Sequence, residues 1–443
     1  MKKKLISLLL VLCMVTTLLP MSVMAVAFDD TSEHWAKTSI QHLADKNVVQ
    51  GTLGKFRPDD TITRAEVAQI FDNLMDYQTA TDKEYTDLTK DAWYAASMKK
   101  AAAAGVFAGG GDGTINPLGQ MTRQEFFVTL ARVLQLPDST KVAPFSDSPN
   151  IADWARPKVN ALVETGLLQG IKNADGSFAA KPLQTITRAE VITMLDRAFP
   201  GIYNSADTYT QPVTGNAVVS APGVKLDGVT VSGDLFIAPG VANGEATLHN
   251  AKVAGRTMVY GGGKNSLILN GETALESLTA AKAALEDPLT IKLFDKATVK
   301  TITVVDGSAQ TTVIVNAGAT LDRLVIENPG TEVKGDGAVK VIVVTANNTV
   351  ITVPNARIEV AAGVTGTMVG GKPVAGGTTV TSNSTGTGTK RPGGGNSDPV
   401  GPTEPPQPEG TWAVRFETDG GKVVDAEGKT ITVTYVKKGE AMN

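Results

Sequence analysis

Cysteine is almost missing from this chain: 443 residues contain 1. That excludes a disulfide framework and any zinc site built on paired Cys-x-x-Cys motifs. Histidine is scarce at 3, too few for a His-rich metal centre. Aromatic residues make up 5%. No excess of positive charge exists, because Lys+Arg 41 against Asp+Glu 45 leaves a net charge of −4. A nucleic-acid partner is therefore not expected, since such binders need a basic face. Beyond the N-terminus, no apolar run approaches the ~18 residues of a membrane span. What is plentiful is small or apolar: Gly numbers 45 and the hydrophobic fraction is 42%. That is ample for folding, and the length suggests about three units.

Met1 to Ala27 reads as a secretory signal. Lys2, Lys3 and Lys4 form a basic start, Leu5 to Leu19 an apolar run, and Ala25-Val26-Ala27 a small-residue cleavage site. Cleavage after Ala25 is an alternative. A membrane anchor is the rival reading, but the run is shorter than the ~20 residues a span needs. The lone Cys13 lies inside this leader, and Leu12 before it is wrong for a lipoprotein site. The mature chain is then free of cysteine, and loss of three lysines takes its charge to −7. No Leu-Pro-x-Thr-Gly-type sorting signal stands near the C-terminus, so retention on a cell would fall to the folded part.

A threefold repeat runs from Phe28 to Phe199. Trp35, Trp93 and Trp154 recur 58 and 61 residues apart. Each follows an aromatic-x-Asp: Phe28-Asp29-Asp30, Tyr85-Thr86-Asp87 and Phe145-Ser146-Asp147. Each precedes an amphipathic helix pattern, such as Ile40, Leu43, Ala44 and Val48, that ends near Gly51, Gly109 or Gly170. A second signature reads Thr63-Arg64-Ala65-Glu66, Thr122-Arg123-Gln124-Glu125 and Thr187-Arg188-Ala189-Glu190, with Pro58, Pro117 and Pro182 six residues before each Arg. A second amphipathic helix follows. The period argues for three copies of one helical unit, each too small to stand alone.

Thr-x-x-Glu is a capping box, so Thr63, Glu66, Thr122, Glu125, Thr187 and Glu190 are assigned to helix starts. The Arg inside each box is not explained by capping. It stands at the first helical position, where the dipole disfavours a cation by some tenths of a kcal/mol. A planar guanidinium there suits bidentate capture of a carboxylate or phosphate, with a structural ion pair as the rival. The Trp residues are read either as core or as partly exposed platforms for a sugar ring.

Residues 28–200 resemble three tandem S-layer homology (SLH) motifs, through the Phe/Tyr-x-Asp…Trp start and the Ile-Thr-Arg-Ala-Glu box. The resemblance implies an all-α, three-pronged pseudo-trimeric spindle. Grooves between the prongs would bind secondary cell wall polysaccharide, an anionic glycan often carrying pyruvylated sugars. The contacts implied are Arg64, Arg123 and Arg188, with Trp35, Trp93, Trp154 and Gly51, Gly109, Gly170 lining the grooves. Two departures bear on equal use of the grooves. The second copy has Met121 and Gln124 where the family prefers Ile and Ala, and the third has a longer loop from Ile171 to Lys181.

After Tyr203 helical periodicity gives way to short β-type runs: Val229–Val231, Leu235–Ile237, Leu267–Leu269, Val313–Val315, Val341–Val344 and Val350–Val353. Asn250, Asn270 and Asn316 each end such a run, and Asn suits left-handed turns. The pattern predicts a right-handed parallel β-helix or solenoid over 214–380, with a β-sandwich as alternative. It resembles β-solenoid segments of other SLH-bearing surface proteins. The Ala/Leu/Glu-rich stretch Glu272 to Glu286 is expected to form a short helix. An enzyme is not expected. Asp227, Asp234, Glu286 and Asp287 are carboxylates by type only, and His249 is the one histidine here. Asp59-Asp60 and Asp112-Gly113 read as loop caps, so no metal and no cofactor are predicted.

Thr381 to Gly410 holds 6 Pro and 7 Gly and reads as a tether spanning about 30 Å when coil-like. Thr411 to Asn443 resumes strand alternation around Asp419-Gly420-Gly421 and faintly resembles a β-grasp-like internalin-type repeat, read as one small repeat or a truncated one. The expected division is a leader (1–27), SLH motifs (28–82, 83–142, 143–202), a linker (203–213), the solenoid (214–380), a Gly/Pro/Thr-rich linker (381–410) and a small β repeat (411–443). The chain as a whole reads as a secreted protein of a Gram-positive-type cell surface, held in the cell wall or S-layer without a covalent bond. The β region would display a structure, self-assemble as an S-layer lattice subunit, or bind a surface ligand as an adhesin. A surface carbohydrate-active enzyme is the least favoured reading.

Overall fold

The computed structural model describes residues 28–284, 287–382, 411–414 and 434–437. The expected leader with Cys13, Glu286 and most of the 381–410 tether lie outside the described residues. Residues 28–200 carry the six α-helices, two per repeat: α1 (Lys37–Asp45), α2 (Arg64–Met75), α3 (Ala95–Ala103), α4 (Arg123–Val133), α5 (Arg156–Glu164) and α6 (Arg188–Ala198). Each buries the stripe its spacing predicts, Ile40, Leu43 and Ala44 in α1 for example. All three capping boxes form. The side chains of Thr63, Thr122 and Thr187 accept from the amides of Glu66, Glu125 and Glu190, and each glutamate accepts the threonine amide in return.

The units are locked to one another through their backbones. Ile62 N donates to Ile186 O (3.2 Å), Ile186 N to Met121 O (2.9 Å) and Met121 N to Ile62 O (3.0 Å). These three hydrogen bonds close a ring around side chains that are fully buried. The first amides of each second helix then donate into the next unit's proline turn. Arg64 and Ala65 reach Gly119 O and Pro117 O, Arg123 and Gln124 reach Gln184 O and Pro182 O, and Arg188 and Ala189 reach Asp60 O and Pro58 O. Amides left over at a helix start need outside acceptors, and here a different unit supplies them.

From Gly201 the chain alternates between two parallel sheets and forms a β-solenoid of about 8 turns. Strand 1 of the first sheet is Gly201–Tyr203, and Thr208–Tyr209 opens the second. The expected linker at 203–213 is thus already part of the solenoid. Inward residues stack turn upon turn, as in Leu275, Val299, Leu321 and Val339, then Leu278, Ile302, Leu324 and Ile342. The outward Glu276, Lys300, Asp322 and Lys340 alternate in sign, with ion pairs at 2.6 Å (Lys300–Glu276) and 2.7 Å (Lys340–Asp322). The stack ends in two antiparallel strands, Lys372–Val374 and Thr379–Thr381.

Two expectations are corrected. The helix over Glu272 to Glu286 is instead the strand Ala274–Ala280, in register with both neighbours. A bend in these strands turns two consecutive residues outward, so buried Leu275 and Leu278 lie three apart. That spacing imitates a helix. The Asn corners are also less uniform than expected. Asn250 is left-handed (φ 51°), but the following corners use Gly271 (φ 61°) and Asp295 (φ 54°). Asn316 instead donates its side-chain amide to Leu293 O at 3.1 Å.

Anchor-side helices and the start of the solenoid share one hydrophobic core, with Phe199 packed edge-to-face on Phe236 at 5.5 Å. The Arg256 guanidinium crosses from the solenoid to the end of α4. It donates to Gln135 O (2.8 Å) and Leu134 O (3.0 Å), while Asp234 holds it at 2.6 Å. Separately, the strands Thr411–Val414 and Thr434–Lys437 pair antiparallel, as the alternation around Asp419-Gly420-Gly421 predicts; the turn itself is outside the described residues.

Arg256→Ala is expected to cost about 1–3 kcal/mol by orphaning the α4 carbonyls and Asp234. Calorimetry on the full chain is expected to give a lower midpoint or a split transition. An unchanged endotherm would show that the clamp contributes nothing.

Candidate functional site

The aromatic-x-Asp starts are structural hinges. Asp30 accepts the amides of Phe56 (2.9 Å) and Arg57 (2.7 Å). Asp87 does the same for Ile115 and Asn116, and Asp147 for Ala180 and Lys181. Arg57, Asn116 and Lys181 all have positive φ, between 49° and 57°. Each directly precedes the proline of its unit. A carboxylate bridging two amides holds a backbone turn that non-glycine residues rarely adopt. Sequence reading noticed these aspartates but not their role; their fixed distance to the pre-proline residue was the available signal.

The glycines and aromatics meet. A Cβ on Gly51 would lie 2.4 Å from the Phe28 ring and 2.5 Å from Lys55 O; on Gly109 it would lie 2.6 Å from Thr114 O, and on Gly170 2.6 Å from the Phe145 ring. The three arginines then cross between units in cyclic order. Arg64 donates to Ile115 O (2.9 Å) and Ala108 O (3.3 Å) of the second unit and lies over Phe107. Arg123 donates to Ala180 O (2.8 Å) of the third and pairs with Glu190 at 2.5 Å. Arg188 donates to Phe56 O (3.0 Å) of the first and pairs with Glu66 at 3.0 Å. Burial pulls all three guanidinium pKa values down, and Glu125, Glu190 and Glu66 respectively pull them back up. Arginine remains charged throughout.

Two grooves of matching construction result. One, of about 600 Å³, is lined by Arg64, Phe107 to Gly110, Glu125, Val128, Arg132 and Trp154. The other, of about 520 Å³, is lined by Arg188, Val48 to Thr52, Glu66, Asn73 and Trp93. Both fall in the ~300–1,000 Å³ range of small-ligand sites. Each takes its arginine from one unit, its floor from the next and its Trp from the third. Gly51 and Gly109 lie in these linings; Gly170 and Arg123 belong to neither. The Trp side chains are not core: Trp35, Trp93 and Trp154 are 64%, 62% and 57% exposed. Trp35 stands beside His34, outside both grooves. Arg132 is a lining residue that sequence reading missed, because an arginine near a helix C-terminus reads as ordinary dipole complementation.

Residues 27–68, 84–127 and 144–192 match the S-layer homology domain profile. The helical part is three S-layer homology domains. Among relatives, the "Surface-layer 125 kDa protein" of Lysinibacillus sphaericus is 30% identical over 169 residues, covering 38% of this chain and 14% of the relative. The "S-layer protein sap" of Bacillus anthracis is 28% identical over 180 residues, covering 39% and 21%. The "Exoglucanase XynX" of Acetivibrio thermocellus is 30% identical over 175 residues, covering 38% and 16%; the enzyme relatives match through the SLH region alone. The chain therefore spans under a quarter of the length of each of these relatives. SLH domains and surface-layer relatives mark a secreted cell-surface protein. Among the described residues, no helix is long and apolar enough to cross a membrane.

Among the described residues, no group of three or more His, Cys, Asp or Glu is arranged to hold a metal ion. Asp112 accepts from the Thr114 amide and hydroxyl, a loop cap. In the solenoid, Asp227 pairs with Lys225, Asp234 with Arg256, and Asp287 accepts from Asn243.

Gly51→Ala is expected to destabilise the anchor by about 1–3 kcal/mol through overpacking against Phe28 and Lys55 O, read as a lower midpoint in urea; an unchanged midpoint would show that the turn relaxes freely. Acid should act in a defined direction. Burial pushes Asp30 and Asp196 up, but amides on Asp30, and His42 and Ser39 on Asp196, more than offset it and hold both below 3.8. Their stabilisation is full above that value and is lost as pH falls through the folded-state values. Thermal midpoints should therefore be flat near neutrality and fall below about pH 4, with a shallower fall in Asp196→Asn. An acid limb of equal steepness in the variant would remove Asp196 from the account.

Proposed function

We propose that this chain is a secreted protein anchored without covalent attachment to the cell wall of a Gram-positive-type bacterium. Its SLH grooves bind anionic secondary cell wall polysaccharide bearing pyruvylated sugars. The solenoid and tail are displayed outward. The single observation that supports this reading most is the repeated groove, which combines a fixed guanidinium with an exposed Trp. The guanidinium suits a carboxylate, and the indole face suits a sugar ring. The three units are read as prongs about one pseudo-threefold axis, supported by the closed ring at Ile62, Met121 and Ile186. Arg64, Arg123 and Arg188, with Trp35, Trp93, Trp154, Gly51, Gly109 and Gly170, are the proposed contacts. No catalytic step is assigned to the chain.

The test is co-sedimentation of the full chain with isolated wall sacculi. Wild type is expected to pellet, and mild acid removal of ketal-linked acids from the sacculi should reduce the pelleted fraction at least tenfold. The combined Arg64→Ala, Arg123→Ala, Arg188→Ala variant should stay in solution. Full pelleting of that variant, or indifference to acid treatment, would overturn the reading.

A further inference from the structure

The three arginines occupy corresponding positions but not corresponding electrostatic states. Arg123 and Arg188 are 5% and 8% exposed and are ion-paired to Glu190 and Glu66. Arg64 is partly exposed, and among the described residues it has backbone carbonyl partners but no ion pair. Its counterpart carboxylate, Glu125, accepts from the Thr122 amide at 2.7 Å and the Thr122 hydroxyl at 2.8 Å, the cap contacts that Glu66 also makes to Thr63, but among the described residues it forms no ion pair with Arg64. The Arg64 groove also contains a second cation, Arg132, which donates to Val106 O at 3.3 Å and likewise has no ion pair among the described residues. Its like charge repels that of Arg64. The Arg188 groove differs. Its second cation, Arg57, is paired with Asp60 at 3.8 Å, and the position matching Arg132 is Asn73.

We infer that the groove formed by Arg64, Arg132 and Trp154 is the principal anionic-sugar site, and that Arg123 and Arg188 serve first as internal ties between units. This rests on the wall-binding reading above. An anion entering the Arg64 groove meets two guanidinium groups and displaces no carboxylate bonded to either, Glu125 lining the groove without an ion pair to Arg64. An anion at Arg188 or Arg123 must compete with a glutamate already 3.0 or 2.5 Å away. Arg132 is thus a specificity-determining residue outside the repeated Thr-Arg-x-Glu box. Of the two grooves described, this one alone has an arginine at that helix position.

The test uses the full chain and soluble polysaccharide released from sacculi, with affinity by calorimetric titration and stability by thermal unfolding. Arg64→Gln and Arg132→Gln are each expected to weaken binding at least tenfold with little change in melting temperature. Arg123→Gln and Arg188→Gln should each lower the melting temperature and weaken binding less than Arg64→Gln does. Glu66→Gln, which frees Arg188, should strengthen binding or leave it unchanged. Equal losses of affinity across the three box arginines, or wild-type binding by both Arg64→Gln and Arg132→Gln, would overturn the inference while leaving wall binding intact. Failure of the wild-type chain to bind at all would instead remove the reading on which it rests.

Discussion

A helix start carries amides that its own turns cannot satisfy, and in this anchor no SLH unit can satisfy them alone. The capping box accounts for the third amide and the cap amide. The first two are taken by the proline turn of the next unit, around Pro58, Pro117 and Pro182. Because the donation runs from unit one to two, two to three and three to one, the chain of dependencies ends only when it closes. Three short helical hairpins with little core of their own thereby become one body. The aspartates at 30, 87 and 147 hold the turns that present those carbonyls, so the aromatic-x-Asp start and the Thr-Arg-x-Glu box, though far apart in each repeat, serve one contact.

The arginine at the first helical position follows from the same geometry. A cation there is disfavoured by its own helix dipole. It does not remain over its helix, however. In each unit it reaches the backbone carbonyls of the next, lies over a Phe ring, and in two of three cases meets a glutamate. The structural ion pair weighed against a ligand contact is present in two of the three units, as Arg123–Glu190 and Arg188–Glu66. In both paired cases the glutamate keeps its own cap with one carboxylate oxygen and meets the arginine with the other, so capping does not decide the pairing.

Legibility in the sequence followed the range of the interaction. The capping boxes, helix stripes and Trp spacing are local, and Thr63 with Glu66 or Ile40 with Leu43 could be read directly. The solenoid was legible as β because Val, Ile and Thr recur in short runs, yet Leu275 and Leu278 imitate a helix through a bend that only parallel register explains. The pairing of Arg188 with Glu66 spans 122 residues, and no local pattern announces it. Arg132 was hidden for a different reason: a bland local role at a helix end was sufficient to account for it. The supposed linker at 203–213 was hidden by polarity, since Ser205 to Thr210 read as loop while Thr208–Tyr209 already pairs with Lys225–Leu226.

The junction between anchor and solenoid bears on the groove itself. Helix α4 supplies Glu125, Val128 and Arg132 to the Arg64 groove. The carbonyls just beyond its end, at Leu134 and Gln135, are satisfied by Arg256 of the solenoid. Gln135 is held in a left-handed turn (φ 49°) at this point. Arg256 is in turn fixed by Asp234 one turn below, itself tied through its amide to Asn216. The position of Arg132, the penultimate residue of α4, thus depends on a chain of polar contacts rooted in the first turns of the β stack. Anchor and displayed part are consequently not a module and its passenger joined by a tether. The first solenoid turns complete the helix that lines the Arg64 groove, and load applied to the solenoid is carried into the helical part through packed side chains and a part-buried guanidinium cap.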